Sequence, residues 1–424
     1  AVVNTCLLAE MAPLLQVLVC LCCCHISVAL RARGSSREMQ AMLNLQLHIA
    51  SSWIEAADYN FDLPAASDGV EHRLLEDLPA GDSHVAVRRR LGDAIARANG
   101  SLSEQIQEDL RQYGKRYHEE FQERQAVFFS HVSKSAGTTF CACGMRSGCL
   151  GFGMEEGSDP VLQNCHAGLW DKSAPDDSPH WGAEGNHPEQ FDTCNGLADY
   201  ANSKNYTLEG NENYLVSDGV CPQFWNVVIL RDPIERLVSH LSELTRIPEK
   251  SPWRFREVRV GDALWNPHNL TPQTIFQEIP ILSDNFYIRS LLGRDVYRLP
   301  LGGVTKEHLE QAKKVVEKFD LVLLKSSSLM DDIQHLMGWT CHASRRMGQS
   351  DDYVDDLRSA WSPEAWAQVR KQNSLDLELV EHARKLWELD SQVFAQPAFS
   401  SASAASCSAG DCGFLCKHSP MAEL

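Results

Sequence analysis

AVFFSHVSKSAGTTF, Ala126 to Phe140, is the stretch that decides the fold. An apolar, β-favouring run from Val127 to Val132 passes without a spacer into a short polar loop and then into helix-compatible sequence. In a strand–loop–helix unit the backbone N–H groups of Ser135, Ala136, Gly137, Thr138 and Thr139 sit at a helix N-terminus, where they converge on an anion. Gly137 permits close approach, and the two threonines add hydroxyl donors. Lys134 precedes the lone glycine, so the order is not that of G-x-x-x-x-G-K-[ST]; a lysine at the loop entrance can reach a bridging oxygen while the backbone holds the phosphate.

The second informative stretch is NVVILRDPIERLVSH, Asn226 to His240. A buried strand ends at Arg231, Asp232 can cap a helix, and Pro233 suits the first helical position. Ile234, Leu237, Val238, Leu241 and Leu244 share one helical face, while Ser239 lies on the other side, one turn after Glu235. A third apolar run, Leu321 to Leu324, follows a helix expected from Thr305 to Phe319. Short apolar runs alternating with helical patterns read as buried parallel strands, hence an α/β fold. Ser362-Pro363-Glu364 opens a long helix that ends near Asp390.

Together the two segments resemble the donor-binding segments of the Golgi carbohydrate sulfotransferases, which use 3′-phosphoadenosine 5′-phosphosulfate (PAPS). The second resembles in particular the R-D-P-I-E-R-L-V-S stretch of heparan sulfate 2-O-sulfotransferases. The resemblance spans roughly Ala126 to Asp390 and implies a P-loop-like three-layer fold around a central parallel sheet. It further implies that Lys134 assists the leaving group and that Ser135 to Thr139 hold the 5′ end of PAPS. Arg231 and Ser239 then bind the 3′-phosphate, and no metal is required. Asp284 to Gly293 (DNFYIRSLLG) and Leu336-Met337-Gly338-Trp339 are weaker echoes of the family, mostly core-like, with Arg289 the one candidate ligand among them. Arg345, Arg346 and Gly348 form a loop that could close over the donor's phosphates.

Sulfuryl transfer also needs a group to take the acceptor's proton. Counting back from Cys221 by the spacing at which the 6-O-sulfotransferases place a histidine lands on Glu212, the first candidate base. His166 is the second and Glu209 the third.

The flanks organise the chain into residues 1–34, an apolar signal anchor or signal peptide; 35–125, a partly helical stem able to self-associate; 126–395, the sulfotransferase domain; and 396–424, a small-residue disordered tail. Leu14 to Leu30 is long and apolar enough for a thin bilayer. Arg31, Arg33 and Arg37 follow it, against the orientation that puts the remainder in the lumen, a conflict that cleavage would remove. Three acceptor sequons, at Asn99, Asn205 and Asn269, favour the secretory route. A single-pass Golgi protein with a lumenal catalytic domain is expected, with a secreted form as the alternative.

Ten of the 15 cysteines lie after the apolar run, and six of them fall between Cys141 and Cys221, where disulfides would staple an irregular insertion. The net charge of −18, from 57 acidic and 39 basic side chains, argues against a nucleic-acid partner. The expected partner is a hydroxyl acceptor, a glycan foremost. The competing readings are a non-catalytic glycan-binding or scaffold protein on the same fold, and a P-loop kinase sharing the cradle.

Overall fold

The computed structural model describes residues 84–98, 100–124, 126–151, 165, 193–211, 214–246, 271–339, 341, 357 and 359–399. Val127–Ser130 (β1), Leu208–Asn211 (β2), Trp225–Leu230 (β3) and Leu321–Leu324 (β4) are buried along their whole length and pair in parallel in the order β2-β1-β3-β4. Successive side chains of a strand point to opposite faces, so each strand feeds two cores. Val127, Phe129, Val227, Ile229, Leu321 and Leu323 enter one apolar cluster, and Phe128, Val228, Leu230, Val322 and Leu324 enter the other.

Helices close both faces. Glu104–Glu123 (α2), Gly137–Arg146 (α3) and Leu329–Met337 (α8) cover the first. Cys194–Lys204 (α4), Pro233–Arg246 (α5), Phe286–Leu291 (α6) and Lys306–Val316 (α7) cover the second. The caps expected from sequence are in place. Asp232 Oδ1 accepts from the Ile234 and Glu235 amides, both at 2.9 Å, and Thr305 forms a capping box with His308. The long C-terminal helix is in fact two, Pro363–Gln372 (α9) and Ser374–Phe394 (α10). Asn373 parts them because its side chain is recruited sideways, accepting from the Asn285 amide and donating to the Ser283 carbonyl.

Residues 84–123, expected as part of a stem, belong to the core. His84–Arg97 (α1) packs on α10 so closely that a Cβ on Gly92 would lie 2.1 Å from Leu389 Cδ1. Buried Leu110, Tyr113, Tyr117 and Phe121 of α2 lie in the same apolar cluster as Trp225 of β3, and the Tyr117 and Trp225 rings meet edge-on at 4.7 Å. The apolar stripe that could have served self-association is therefore used within the fold. The described chain also runs past residue 395, where the Phe399 ring packs at a tilt against Phe394 at 4.8 Å.

The amino ends of the strands are tied by a buried polar cluster. Arg88, fully buried, has its Nε 2.5 Å from Asp390 Oδ1, a close charge contact that is poorly aligned as a hydrogen bond, and its Nη1 donates to the Asp320 carbonyl at 3.1 Å. Asp320 Oδ2 accepts from the Asn226 backbone amide at 2.8 Å. Burial raises the Asp390 carboxyl to about 6, with Arg88 pulling it back down.

Cys141–Cys165, Cys143–Cys341 and Cys194–Cys221 lie at disulfide distance. Cys143 reaches outside the Cys-rich stretch, so α3 is stapled on two sides. Among the described residues no helix is long and apolar enough to cross a membrane; the run Leu14–Leu30 lies outside them.

Candidate functional site

From β1 the chain passes to β2 on one side and returns to β3 on the other. The connections leaving β1 and β3 therefore diverge, and a crevice opens beyond their carboxyl ends, the usual ligand position in an open parallel sheet. Register sets Ser130 of β1 beside Val228 of β3, so the loop of residues 131–136 and the turn Arg231-Asp232 flank this crevice. The two sequence motifs meet there.

The loop is tightly wound. The Val132 amide donates to the Ser130 carbonyl and the Ser135 amide to the Val132 carbonyl, at 3.0 and 3.1 Å. Lys134 and Ala136 both have positive φ, 67° and 74°. For residues bearing a Cβ this costs on the order of 1–2 kcal/mol each, a strain that accumulates at functional loops. The first intrahelical bond of α3 runs from Phe140 to Ala136 at 3.1 Å, so the amides of Gly137, Thr138 and Thr139 precede the helical ladder. Thr138 is exposed, whereas Lys134 and Thr139 are half-buried.

Gly137 is required for a reason other than the one expected. A Cβ there would sit 1.7 Å from His131 Nε2, so close approach is made from within the protein. The His131 ring stacks on Phe129 at 5.2 Å and 18° and fills the space behind the loop. It is a buttress.

On the other wall, Arg231 Nε contacts Glu235 Oε2 at 3.2 Å, while its Nη1 is buried and has no hydrogen-bond partner. An uncompensated buried guanidinium nitrogen is costly, and an anionic ligand would compensate it. Ser239 lies half-buried on the next turn of α5. Ser133 Oγ, in the loop opposite, is likewise buried without a partner. The donor set fits a ligand with more than one anionic group.

Tyr287 was not singled out from sequence as a site residue, yet it joins the two walls. Its hydroxyl lies 2.9 Å from Ser135 Oγ and 2.9 Å from both the amide and the carbonyl of Arg231. Burial raises this phenol to about 12, so it is neutral. The only sequence signal was its place in the segment Asp284 to Gly293.

Arg289, by contrast, is no ligand candidate. It is fully buried, paired with Asp284 at 2.5 Å, and donates to the carbonyls of Tyr297, Leu299 and Pro300, which fixes the turn after α6. Glu209 sits on β2 opposite Phe128, buried, with both carboxyl oxygens lacking partners; burial alone pushes it up to about 8. At neutral pH it is mainly protonated. Glu212, His166, Arg345, Arg346 and Gly348 lie outside the described residues. No protein-family model matches this sequence and no curated protein matches it.

Proposed function

We propose that this protein is a sulfotransferase that moves a sulfuryl group from PAPS to a hydroxyl, foremost that of a glycan. The observation that carries the reading is the buried, unpartnered Nη1 of Arg231, in the turn that ends β3, next to the strand whose strained, amide-rich loop is entered by a lysine. This is a site for two anions at opposite ends of one ligand. The parallel sheet with helices on both faces accords with a P-loop-like three-layer fold. The disulfide pairs support an oxidising compartment such as the Golgi lumen.

Bound PAPS supplies an activated sulfuryl group whose leaving group is a phosphate. The roles of the chain's own residues follow from where charge changes. Ser135 to Thr139 hold the 5′ end through backbone amides, and Lys134 neutralises charge gathering on the departing oxygen. Arg231 and Ser239 anchor the 3′-phosphate and so fix the ligand's direction along the crevice. The acceptor oxygen bonds to sulfur as the sulfur–oxygen bond to phosphate breaks, and the acceptor's proton passes to a base, proposed as Glu212 with His166 second.

The test is thermal stabilisation by PAPS, by its desulfated product 3′-phosphoadenosine 5′-phosphate, and by ATP, followed by transfer of radiolabelled sulfate to a panel of glycans and small alcohols. Stabilisation by the 3′-phosphorylated pair alone is expected. Equal stabilisation by ATP would favour a kinase, and binding without transfer to any acceptor would favour a non-catalytic role.

A further inference from the structure

We propose that Tyr287 is a positioning residue that locks the two anion-binding segments, residues 133–139 and 231–239, into one rigid unit. The inference rests on the reading of the crevice as a site for a doubly anionic nucleotide, and its structural part can be tested without that reading.

A phenol has one proton to donate and two lone pairs to accept with. The Arg231 amide can only donate and the Arg231 carbonyl can only accept, each at 2.9 Å from Tyr287 Oη. The phenol's proton therefore goes to that carbonyl, and the remaining lone pair takes the hydroxyl hydrogen of Ser135, 2.9 Å away. All three positions on the oxygen are filled. Ser135 and Tyr287 are 152 residues apart in sequence, so this bond joins the loop to the turn through a distant element.

The other end of Tyr287 is equally fixed. Its backbone amide donates to Asp376 Oδ2 at 2.8 Å, and the following amide, of Ile288, donates to Asp376 Oδ1 at 3.0 Å. The ring is wholly buried. Arg236 of α5 stacks over Phe286, the residue before it, at 4.5 Å. The hydroxyl thus cannot drift with the loop; it sets where Ser135 and Arg231 stand relative to each other. Two anchors held at a fixed separation reward a ligand that matches both, because the ordering cost is met before binding.

The test compares wild type, Tyr287→Phe and Ser135→Ala. Phenylalanine keeps the buried ring and removes only the oxygen, whereas Ser135→Ala cuts the bridge and leaves the Tyr287–Arg231 bonds intact. Amide hydrogen exchange at Arg231 is expected to quicken at least tenfold in Tyr287→Phe. The affinity ratio between 3′-phosphoadenosine 5′-phosphate and adenosine 5′-monophosphate is expected to fall at least fivefold in both variants. The double variant should lose no more than the worse single one, since both break one connection. A general loss of stability would weaken both nucleotides alike and leave that ratio unmoved. Unchanged exchange at Arg231, or an unchanged ratio in both variants, overturns the proposal. Failure of the wild type to bind either nucleotide defeats the functional reading, while the exchange comparison still decides whether Tyr287 couples the segments.

Discussion

The two ends of the same sheet hold their arginines in different settings, one paired with a carboxylate in the core and the other with a carboxylate at the surface. At the amino ends, Arg88 meets Asp390 and the Asp320 carbonyl, and Asp320 in turn receives the Asn226 amide. At the carboxyl ends, Arg231 pairs through Nε with the exposed Glu235 while its Nη1 and Ser133 Oγ are buried without hydrogen-bond partners, and two residues bearing a Cβ hold positive φ. Buried charge matched inside the chain ties elements together. A buried donor left open, with a strained loop on the neighbouring strand, is a place for something from outside. The amino end is where α1, α2 and α10 are clamped to the strands, and the carboxyl end is where ligand chemistry is expected.

Arg88→Ala is expected to have the largest effect, a loss of about 3–5 kcal/mol of stability, because it strands Asp390 in the core. Urea unfolding at pH 7 measures it, and a loss under about 1 kcal/mol would erase the contrast between the two ends. Lys134→Ala should lower single-turnover sulfuryl transfer by about a hundred- to a thousandfold, the scale for removing one charge-stabilising donor, with the urea midpoint nearly unchanged. A shifted midpoint with normal transfer would reverse the roles of the two ends.

Arg231→Ala should weaken binding of 3′-phosphoadenosine 5′-phosphate by about 1.5–3 kcal/mol, the range for a hydrogen bond to a charged group. Titration calorimetry reads this directly. Stability should stay nearly unchanged, since the ion pair lost is with the exposed Glu235 and a buried, unpartnered nitrogen is removed with it, and a marked loss would mean that Arg231 is a clamp like Arg88.

Glu209 provides the finest test, because it lies within a strand, buried, with both carboxyl oxygens lacking partners. Its folded value of about 8 stands above the ordinary 4.5, so the folded chain keeps a proton that the unfolded chain has released. This contribution to stability is fully present below pH 4.5 and is lost as pH rises through 8, with a slope of up to about 1.4 kcal/mol per pH unit. Glu209→Gln cannot ionise, so it should flatten the decline and gain most over wild type above pH 8. Parallel pH profiles of the two proteins would show that Glu209 has a partner at high pH.

The sequence by itself determined the pieces whose rules are local. Alternation and apolar runs gave β1, β3 and β4; Asp232, Thr305 and Ser362 announced their helices; and Lys134 and Gly137 stood out as residue types suited to an anion-binding loop, with Arg231 singled out by the resemblance of its segment. β2 was missed because LEGN has no apolar run, and its burial comes from Leu150, Cys165 and β1 lying against it. Helix-prone, charge-rich α2 read as a spacer, since its four buried apolar side chains acquire meaning only against Trp225. Tertiary structure alone decided that His131 makes Gly137 necessary, that Cys143 pairs with Cys341, and that Tyr287 bridges Ser135 to Arg231. Each of these joins groups brought together by the parallel crossovers, and a contact made by chain return leaves no period or spacing in the residues that make it.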